Sequence, residues 1–524
     1  MKVLVSDPIS QNGLDIILKA GLEVDVKRLS PEELIKEIKG YDGLIVRSAT
    51  KVTADVINAS DKLRVIGRAG SGLDNVDKAA ASKKGIVVMN TPGGNTITTA
   101  EHTIALMLSL ARLIPQATNS MKVGKWEKKK FMGVEVYNKI LGVLGMGDIG
   151  SQVAKRAQAL QMHVLGYDPF LYKEKAEEVG IELVDLPELY RRSDFITIHT
   201  PLTPETKNMI NQKTIKTMKD GVRIINCARG GIINEKDLYE ALMSGKVAGA
   251  ALDVFEKEPP EDSSLIGLEN VICTPHLGAA TAEAQENVAI AIAEQIVDYL
   301  VYGTVRNAVN VPSVPADLLP KIRPYINLSE RMGSFLSQVF EGGIEEITVE
   351  YKGEISDLTI APITVAIIKG LLTPILQETV NFVNAPFIAK ERGIEVRELK
   401  SPDAGDYTTL IGLKVRSGKN KGYVLGTLYN RKEPRIVKLN EFPIEVIPEG
   451  DMLVLLNNDK PGVIGNIGTI LGKYDINIAR MQFGRETQGG RAISVVCVDS
   501  PISDNLLNEI KKLPNVLSVK QVRI

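Results

Sequence analysis

Short apolar runs that alternate with amphipathic stretches predict a parallel α/β sheet at the start of the chain. Between residue 2 and about residue 98, the runs KVLVSD, GLIVRS, VIGRAG and IVVMN are separated by sequence with helical periodicity. Ser30, Pro31 and Glu33 predict a helix start, with serine as N-cap, proline at the first helical position and glutamate closing a capping box.

A second alternating series follows a long helix that we predict over residues 98–121. Its strands are predicted near residues 140–144, 163–167, 194–199, 222–226, 248–252 and 270–273. Another long helix, at about 281–302, leads away from this series, and we expect it to pack on the first one. The first domain is therefore predicted to comprise residues 1–98 and 282–308, and the second domain residues 99–281.

Two further domains are predicted after a proline-rich linker. The stretch NVPSVPADLLP, residues 310–320, contains three prolines and is typical of a linker. Residues 318–445 mix a helical run, VAIIKGLLTPILQETVNFVN, with strand-like segments and predict an α+β domain. Residues 452–524 follow the order strand, helix, strand, strand, helix, strand, which predicts a ferredoxin-like βαββαβ unit.

Composition narrows the class of protein. The 524 residues suffice for three or more cores, and 63 basic against 64 acidic residues give no general attraction to nucleic acid or anionic membranes. Cys227, Cys273 and Cys497 lack CxxC spacing, which argues against a disulfide framework or a cysteine-rich metal site. Without a membrane-spanning apolar run or a secretory leader pattern, we expect a cytoplasmic protein that needs no metal.

A glycine motif predicts a dinucleotide site at the start of the second domain. Gly145, Gly147 and Gly150 form GxGxxG directly after an apolar strand and at the head of a helix. Such glycines allow a tight turn and let the backbone approach a pyrophosphate, which the helix N-terminus attracts. Asp148 and Ile149 lie at that approach.

The acidic residue at the end of the next strand predicts which dinucleotide binds. Asp168 stands 18 residues after Gly150, where a carboxylate can accept hydrogen bonds from both adenosine ribose hydroxyls. It would repel a 2′-phosphate. The sequence therefore predicts NAD rather than NADP.

Hydride transfer at a hydroxyl-bearing carbon needs an acid/base group, and the chain has four histidines. His102 lies in an apolar helix and His163 begins a strand, so we expect packing or surface roles for both. His199 ends a strand at the cofactor edge but has no acidic neighbour in sequence. His276, in VICTPHLG, follows a short strand near the edge where open α/β sheets bind ligands, and it is the best candidate.

Arg229 in NCARGG and Glu258 in LDVFEKEPP also follow strands. Together with GxGxxG and PHLG, these segments resemble the D-isomer-specific 2-hydroxyacid dehydrogenase family over residues 47–281. The resemblance implies a Rossmann-type NAD-binding domain beside a flavodoxin-like substrate domain. It further implies that Arg229 binds the substrate carboxylate, Glu258 orients the imidazole and His276 is the acid/base. The cofactor contacts that it implies, besides the glycine motif and Asp168, are Ser71, Thr200, Cys227, Ala228, Arg229, Asp253, His276, Leu277 and Gly278.

Two arginines at strand ends indicate an anionic group at the far end of the substrate. Arg47 and Arg68 suit such a group, although solvated surface charge is the alternative for them and for the basic run GKWEKKKFMG. The segments VRSATKVT, GRAGSGLDNVD and GKWEKKKFMG resemble the branch of the family that oxidises 3-phosphoglycerate in the first step of serine synthesis. The resemblance implies phosphate binding by Arg47 and Arg68 beside Ser48 and Gly70, with Lys128 of a partner subunit. We therefore expect a homo-oligomer, either a dimer or a tetramer.

The C-terminal segment NNDKPGVIGNIGTILGKYDINIARM resembles an ACT domain, a regulatory fold that binds amino acids, and the α+β domain before it resembles the intervening domain of long family members. The matching effector positions are Asn457, Asp459 and Asn477, of which the first two depart from the histidine and asparagine of serine-regulated relatives. We expect a small-molecule effector whose identity the sequence does not give. A purely structural role in dimerisation is the alternative.

The predicted function is NAD-dependent oxidation of 3-phosphoglycerate, with three alternatives. One is another reductase of the same family, acting on hydroxypyruvate, glyoxylate or 2-oxoglutarate. Another is an NAD-sensing corepressor that keeps only the cofactor site, and the third is an ACT regulator with an inert dehydrogenase part. Arg47 and Arg68 favour the phosphorylated substrate, and the set of Arg229, Glu258 and His276 argues against an inert site.

Overall fold

The computed structural model describes residues 1–171, 176, 180–312, 318–376 and 380–524. These residues form a five-stranded, a seven-stranded, a six-stranded and a four-stranded sheet. The first two sheets are parallel, the third is mixed and the fourth is antiparallel. The predicted fold class is confirmed.

The first sheet has the strand order β2-β1-β3-β4-β5 of flavodoxin-like folds. Its elements are β1 Lys2–Val5, α1 Gln11–Lys19, β2 Glu23–Val26, α2 Pro31–Glu37, β3 Gly43–Val46, α3 Ala54–Ala59, β4 Val65–Arg68, α4 Lys78–Lys84 and β5 Val87–Asn90. The predicted capping box is present, because Glu33 N donates to Ser30 Oγ (3.3 Å) and Ser30 N donates to Glu33 Oε2 (2.8 Å).

The second sheet has the order β12-β11-β10-β9-β6-β7-β8, which is the Rossmann order. Its strands are β6 Ile140–Leu144, β7 His163–Tyr167, β8 Glu182–Leu183, β9 Phe195–Ile198, β10 Val222–Asn226, β11 Val247–Leu252 and β12 Val271–Cys273. The helices around it are α5 Thr96–Arg112, α6 Ile114–Lys122, α7 Asp148–Ala159, α8 Leu186–Arg192, α9 Gln212–Thr217 and α10 Glu235–Met243. The strand order reverses between β6 and β9, and open α/β sheets bind ligands at such a switch point.

The single helix predicted over residues 98–121 is wrong, because the structure divides it into α5 and α6. Leu113 between them has φ +55°, and Pro115 lies in the first turn of α6. Proline has no N–H to donate to the carbonyl of Ala111, four residues earlier. Val134 N donates to that carbonyl instead, at 2.8 Å.

No single helix in the described parts of the chain meets the length and hydropathy expected of a membrane span. The pair α5 and α6 does so only when both are taken together, across a bend of 65°.

A long helix, α11 Ala282–Tyr302, returns to the first sheet. Its buried Ile292 and Ile296 belong to the same core as Val3 and Val65 of that sheet. Gly67 on β4 makes the contact close, since a Cβ atom there would lie 2.8 Å from the Ile292 side chain. Residues from the end of the second α/β series therefore complete the core of the first.

The third sheet follows the order β14-β13-β15-β16-β17-β18. The elements of this part are α12 Leu319–Val339, β13 Glu346–Gly353, α13 Ala361–Leu372, α14 Ala385–Glu391, β14 Glu395–Ser401, β15 Thr409–Ser417, β16 Asn420–Tyr429, β17 Glu433–Leu439 and β18 Phe442–Val446. The run predicted as helical to residue 384 is helical only to Leu372, two residues before Pro374, and residues 377–379 lie outside the described residues. Of the predicted linker, residues 313–317 lie outside them, and α12 begins before the linker was expected to end.

The fourth sheet has the order β20-β21-β19-β22 and confirms the predicted βαββαβ unit. Its elements are β19 Asp451–Asn458, α15 Val463–Lys473, β20 Ile478–Arg485, β21 Arg491–Val498, α16 Asp504–Lys511 and β22 Val516–Arg523. One face of the sheet packs on α15 and α16. The other face, which includes Met452, Val454 and Val495, shares one core with Phe335 and Leu336 of α12.

Candidate active site

A cavity of about 650 Å³ lies between the first two sheets, at the carboxyl ends of their strands. It brings together residues that are distant in the sequence. The predicted residues that line it are Arg47, Ser48, Arg68, Gly70, Asp253, Glu258 and His276.

The predicted acid/base pair is formed. His276 Nδ1 lies 2.8 Å from Glu258 Oε2, and this hydrogen bond raises the pKa of His276. Burial is the largest single effect and raises the pKa of Glu258, but the hydrogen bond and charge of His276, together with the hydrogen bond from Phe255 N, outweigh it and lower the pKa. Because Glu258 occupies Nδ1, the Nε2 atom of His276 is the one left to exchange a proton with a ligand.

A second carboxylate fixes the turn that carries His276, whose φ of +55° is left-handed. Asp253 is buried, and its carbonyl accepts from His276 N at 3.0 Å. Its Oδ1 accepts from Leu277 N (2.7 Å) and Thr274 Oγ1 (2.6 Å), and its Oδ2 accepts from Gly278 N (2.9 Å). The side chain of Asp253 therefore holds the PHLG loop in place.

His102 has a role that the sequence did not predict. Its Nε2 atom lies 3.2 Å from Asp253 Oδ1 and 3.3 Å from Thr274 Oγ1, so it supports the site rather than only packing or facing solvent. The signal in the sequence is a polar stripe on an otherwise apolar helix. His102 and Thr103 follow Thr99 by three and four residues, which places both on the same helix face as Thr99.

His199 is unsuited to acid/base chemistry near neutral pH. Burial lowers its pKa to about 3, and its Nε2 atom lies 3.0 Å from Thr197 Oγ1. Among the described residues, His199 Nδ1 and Thr200 Oγ1 are buried without a hydrogen-bond partner. Both residues follow β9, at the switch point of the sheet. His163 is exposed at the start of β7, as expected.

The glycine turn between β6 and α7 is tightly packed at Gly145 and Gly150 and open at Gly147. Gly145 has φ +89°, and a Cβ atom there would lie 2.7 Å from the backbone oxygen of His199. A Cβ atom at Gly150 would overlap with the Gly145 carbonyl, whereas one at Gly147 would meet nothing within 4 Å. Asp148 and Ile149 begin α7, whose N-cap, Gly147, supplies no side-chain cap.

Asp168 follows β7 beside the glycine turn. Its Oδ2 accepts from Met146 N and its Oδ1 accepts from Phe170 N, both at 2.9 Å. These two bonds fix the carboxylate where the adenosine ribose of a dinucleotide on this turn would lie. The open glycine turn, the fixed carboxylate and the unpartnered polar atoms after β9 all fit NAD.

The remaining predicted cofactor contacts lie on the loop after β10 of the second sheet and on the loop after β4 of the first. Burial raises the pKa of Cys227 to about 12, which keeps this residue a neutral thiol. Ala228 N donates to Asn226 Oδ1 at 3.0 Å, at the end of β10. The Ser71 carbonyl accepts from Asn90 Nδ2 at 2.6 Å, which fixes the loop after β4.

Arg47 and Arg68 line the cavity, and Arg229 lies close to Arg68 without lining it. Burial, followed by the nearby charge of Arg229, lowers the pKa of Arg68 to about 10, so this side chain remains charged at neutral pH. The Nε atom of Arg68 is buried and has no hydrogen-bond partner among the described residues. Gly70 leaves room for its guanidinium group, because a Cβ atom there would overlap with it. Arg229 Nε donates to Asp74 Oδ2 at 2.8 Å, a contact that the sequence did not predict.

Lys128 does not join these residues within the chain. It is exposed in the segment after α6 and does not line the cavity. Its participation from a partner subunit remains a prediction.

The predicted effector residues do not form one site within the chain. Asp459 accepts from Gly489 N (3.0 Å) at one end of the fourth sheet, whereas Asn477 donates to Asp499 (2.7 Å) at the other end. Because β19 and β21 pair along their whole length, the two ends are roughly 20–25 Å apart. The buried Asn457 has partners within the chain, since its Oδ1 accepts from Ser494 Oγ at 3.1 Å.

Comparison with known proteins agrees with this geometry. Residues 104–278 match the model of the D-isomer specific 2-hydroxyacid dehydrogenase, NAD binding domain. Residues 321–440 match the D-3-phosphoglycerate dehydrogenase intervening domain, and residues 452–515 match the ACT domain.

Curated relatives cover the whole chain. The D-3-phosphoglycerate dehydrogenase of Synechocystis sp. is 49% identical over 100% of this chain and 95% of its own length. The chain belongs to the D-3-phosphoglycerate dehydrogenase family. The family member of Bacillus subtilis is 44% identical over 99% of both chains.

Solved structures extend the comparison to the first two domains. The crystal structure of D-lactate dehydrogenase from Aquifex aeolicus complexed with NAD and lactic acid has a TM-score of 0.53 and 29% identity. It covers 60% of this chain and 100% of its own. The cofactor of this phosphoglycerate dehydrogenase family member is NAD, as its sequence predicts.

Proposed function

We propose that the chain catalyses NAD-dependent oxidation of 3-phosphoglycerate to 3-phosphohydroxypyruvate. The observation that carries the proposal is the guanidinium group of Arg68, whose Nε atom is buried and has no hydrogen-bond partner among the described residues. It lines the same cavity as the hydrogen-bonded pair of Glu258 and His276. A buried N–H donor of a charged group is costly when it has no partner, so this arrangement favours an anionic ligand beside the acid/base pair.

In the proposed reaction, Arg229 binds the substrate, and His276 with Glu258 transfers the proton. Arg229 binds the C1 carboxylate and draws electron density from C2. His276 Nε2 accepts the proton of the C2 hydroxyl, and Glu258 stabilises the imidazolium ion that results. When bound, NAD accepts the hydride from C2.

The phosphate group at C3 of the substrate is proposed to bind at the end of the cavity that the first domain forms. Arg68 and Arg47 lie at the ends of β4 and β3, so both approach the cavity from the first domain. Guanidinium groups bind phosphate oxygens through several N–H donors at once. Ser48 and Gly70 border the same region. Lys128 of the partner subunit is proposed to complete it, which makes the protein a homo-oligomer.

The ACT domain and the free cysteines bear on the regulation of the protein and on its location in the cell. The ACT domain is proposed to bind a small-molecule effector, with Asn457, Asp459 and Asn477 contributed to a shared site by different subunits, since they are far apart within one chain. The cysteines are free thiols, which suits the reducing cytoplasm.

The direct experiment follows NADH formation from 3-phosphoglycerate, with His276→Ala as the test variant. We expect oxidation with NAD to exceed oxidation with NADP strongly, because Asp168 would repel a 2′-phosphate. His276→Ala should lower kcat by about 10²- to 10⁴-fold while NADH still binds. His163→Ala is the matched control, since that histidine is exposed and distant from the cavity. Near-normal turnover of His276→Ala would refute the assignment.

A further inference from the structure

We propose that Asp74 is a positioning residue that orients Arg229 toward the substrate carboxylate across the cleft between the first two domains. The inference rests on the proposed function, since it concerns how Arg229 performs its role. Asp74 lies in the loop between β4 and α4 of the first domain, whereas Arg229 follows β10 of the second. Arg229 Nε donates to Asp74 Oδ2 at 2.8 Å, so this ion pair joins the two domains.

Two hydrogen bonds determine the orientation of the Arg229 guanidinium group. Nε is held by Asp74, and Nη1 donates to the carbonyl of Ala228 at 2.7 Å. A guanidinium group has five N–H donors in one plane, so these bonds fix that plane and leave three donors, one on Nη1 and two on Nη2. Those donors can bind a carboxylate with both of its oxygens.

Gly72, in the same loop as Asp74, makes room for this arrangement. A Cβ atom at Gly72 would overlap with Arg229 Nη2. The loop therefore contacts Arg229 at two points: it binds the guanidinium group through Asp74 and approaches it closely at Gly72.

The loop that carries Asp74 is itself fixed to the loop that carries Arg47. Asn75 Nδ2 donates to the carbonyls of Arg47 and Thr50, both at 2.6 Å, and Val52 N donates to the Asn75 carbonyl at 2.8 Å. Asp74 thus stands in a defined place relative to the phosphate end of the cavity. The proposed binding groups for the carboxylate and the phosphate share one frame through residues 74 and 75.

Charge also favours an acidic residue at this position. Arg47, Arg68 and Arg229 are close enough that the charges of the other two lower the pKa of Arg68, in addition to burial, whereas Asp74 acts in the opposite direction. Three cations this close together repel each other before substrate binds. Asp74 offsets part of that repulsion and keeps Arg229 from turning away.

The test compares Asp74→Asn with Asp55→Asn, a control that removes the same charge from an exposed position on α3. Asp74 is 75% exposed, and exposed ion pairs contribute little to folding, so neither variant should change the Tm appreciably. We expect Asp74→Asn to lower kcat/KM about 10-fold for phosphohydroxypyruvate and for hydroxypyruvate alike, because both carry the carboxylate that Arg229 binds. The Kd for NADH should not change.

A second variant tests the position of the Arg229 guanidinium group without removing the charge of Asp74. Gly72→Ala keeps Asp74 but pushes on Nη2, so it should reduce kcat/KM for both substrates by a similar factor. Activity of Asp74→Asn within twofold of the Asp55→Asn control would overturn the inference. So would a loss confined to phosphohydroxypyruvate, or a loss that comes with a lower Tm or weaker NADH binding.

Arg229→Ala distinguishes failure of this inference from failure of the proposed function. If Arg229→Ala loses activity while Asp74→Asn keeps it, only the role of Asp74 is wrong. If Arg229→Ala keeps activity on both substrates, the proposed carboxylate site itself is wrong.

Discussion

At the scale of single residues, two carboxylates act on His276 in different ways. Glu258 hydrogen-bonds the ring and raises its pKa, whereas Asp253 accepts hydrogen bonds from the backbone N–H groups of His276 and of the two residues after it. Glu258 therefore determines the pH range in which the imidazole is protonated, and Asp253 determines the position of the imidazole in the site. His102, which lies beside Asp253, adds to the second effect.

The pH dependence of the reaction tests the role of Glu258. In the oxidation direction His276 must be neutral to accept a proton, so kcat/KM falls as the pH drops through its raised pKa. In Glu258→Gln the negative charge is lost and the pKa of His276 falls, so the acidic limb of the profile should move to lower pH. In the reduction direction, which needs the protonated ring, the basic limb should move to lower pH as well. Glu256→Gln, a neighbouring exposed position, is the control, and an unchanged acidic limb in Glu258→Gln would contradict the account.

Substrate selectivity tests the role of Arg68. A charge-assisted hydrogen bond to phosphate contributes roughly 1.5–3 kcal/mol, so Arg68→Ala should lower kcat/KM for phosphohydroxypyruvate by about 10- to 150-fold. Arg47→Ala should act in the same direction. Hydroxypyruvate should be affected much less, because its carboxylate still meets Arg229. Equal losses on both substrates, or a large fall in Tm, would mean that these arginines stabilise the fold instead.

At the scale of elements, the strands were predictable and several helix ends were not. Apolar runs such as VLV and LIV are buried in parallel strands whichever neighbours they pair with, so the pattern alone locates them. The predictions of long continuous helices were wrong at Pro115 and near Pro374. The apolar periodicity continues through both positions, but proline disfavours a continuous helix.

The turn between β6 and α7 offers a matched pair of variants. In Gly150→Ala the new methyl group would overlap with the Gly145 carbonyl, and backbone cannot yield easily, so we expect a loss of about 1–3 kcal/mol in the free energy of unfolding. In Gly147→Ala the methyl group meets only open space, so the Tm should stay unchanged while the Kd for NADH rises. Thermal melts and NADH titrations measure both. Normal NADH binding by Gly147→Ala would show that the pyrophosphate does not approach this glycine.

At the scale of the whole molecule, contacts between residues far apart in the sequence were the part that sequence reasoning missed. Asp74 and Arg229 are 155 residues apart, and His102 and Asp253 are 151 residues apart. Local patterns contain no information about such pairs. The GxGxxG turn, Asp168 and the histidine motif were predictable because each depends on a strand and the residues that directly follow it.

The intervening domain contacts the substrate domain directly. Asn381 Nδ2 donates to the Gly85 carbonyl at 3.0 Å, and Lys83 pairs with Glu391 at 3.0 Å. Val383 belongs to the core of the first sheet. Because the ACT sheet shares a core with the intervening domain, the C-terminal half is joined through packed side chains to the domain that carries Arg47 and Arg68.

The most direct measurement of the central claim is a side-by-side reductase assay of the full chain with NADH on phosphohydroxypyruvate, hydroxypyruvate, glyoxylate and 2-oxoglutarate. Arg47 and Arg68 should together favour the phosphorylated substrate over hydroxypyruvate in kcat/KM by at least about 100-fold, since each contributes roughly tenfold or more. A preference for phosphohydroxypyruvate of that size is the predicted result. Comparable values of kcat/KM for phosphohydroxypyruvate and hydroxypyruvate would contradict the account.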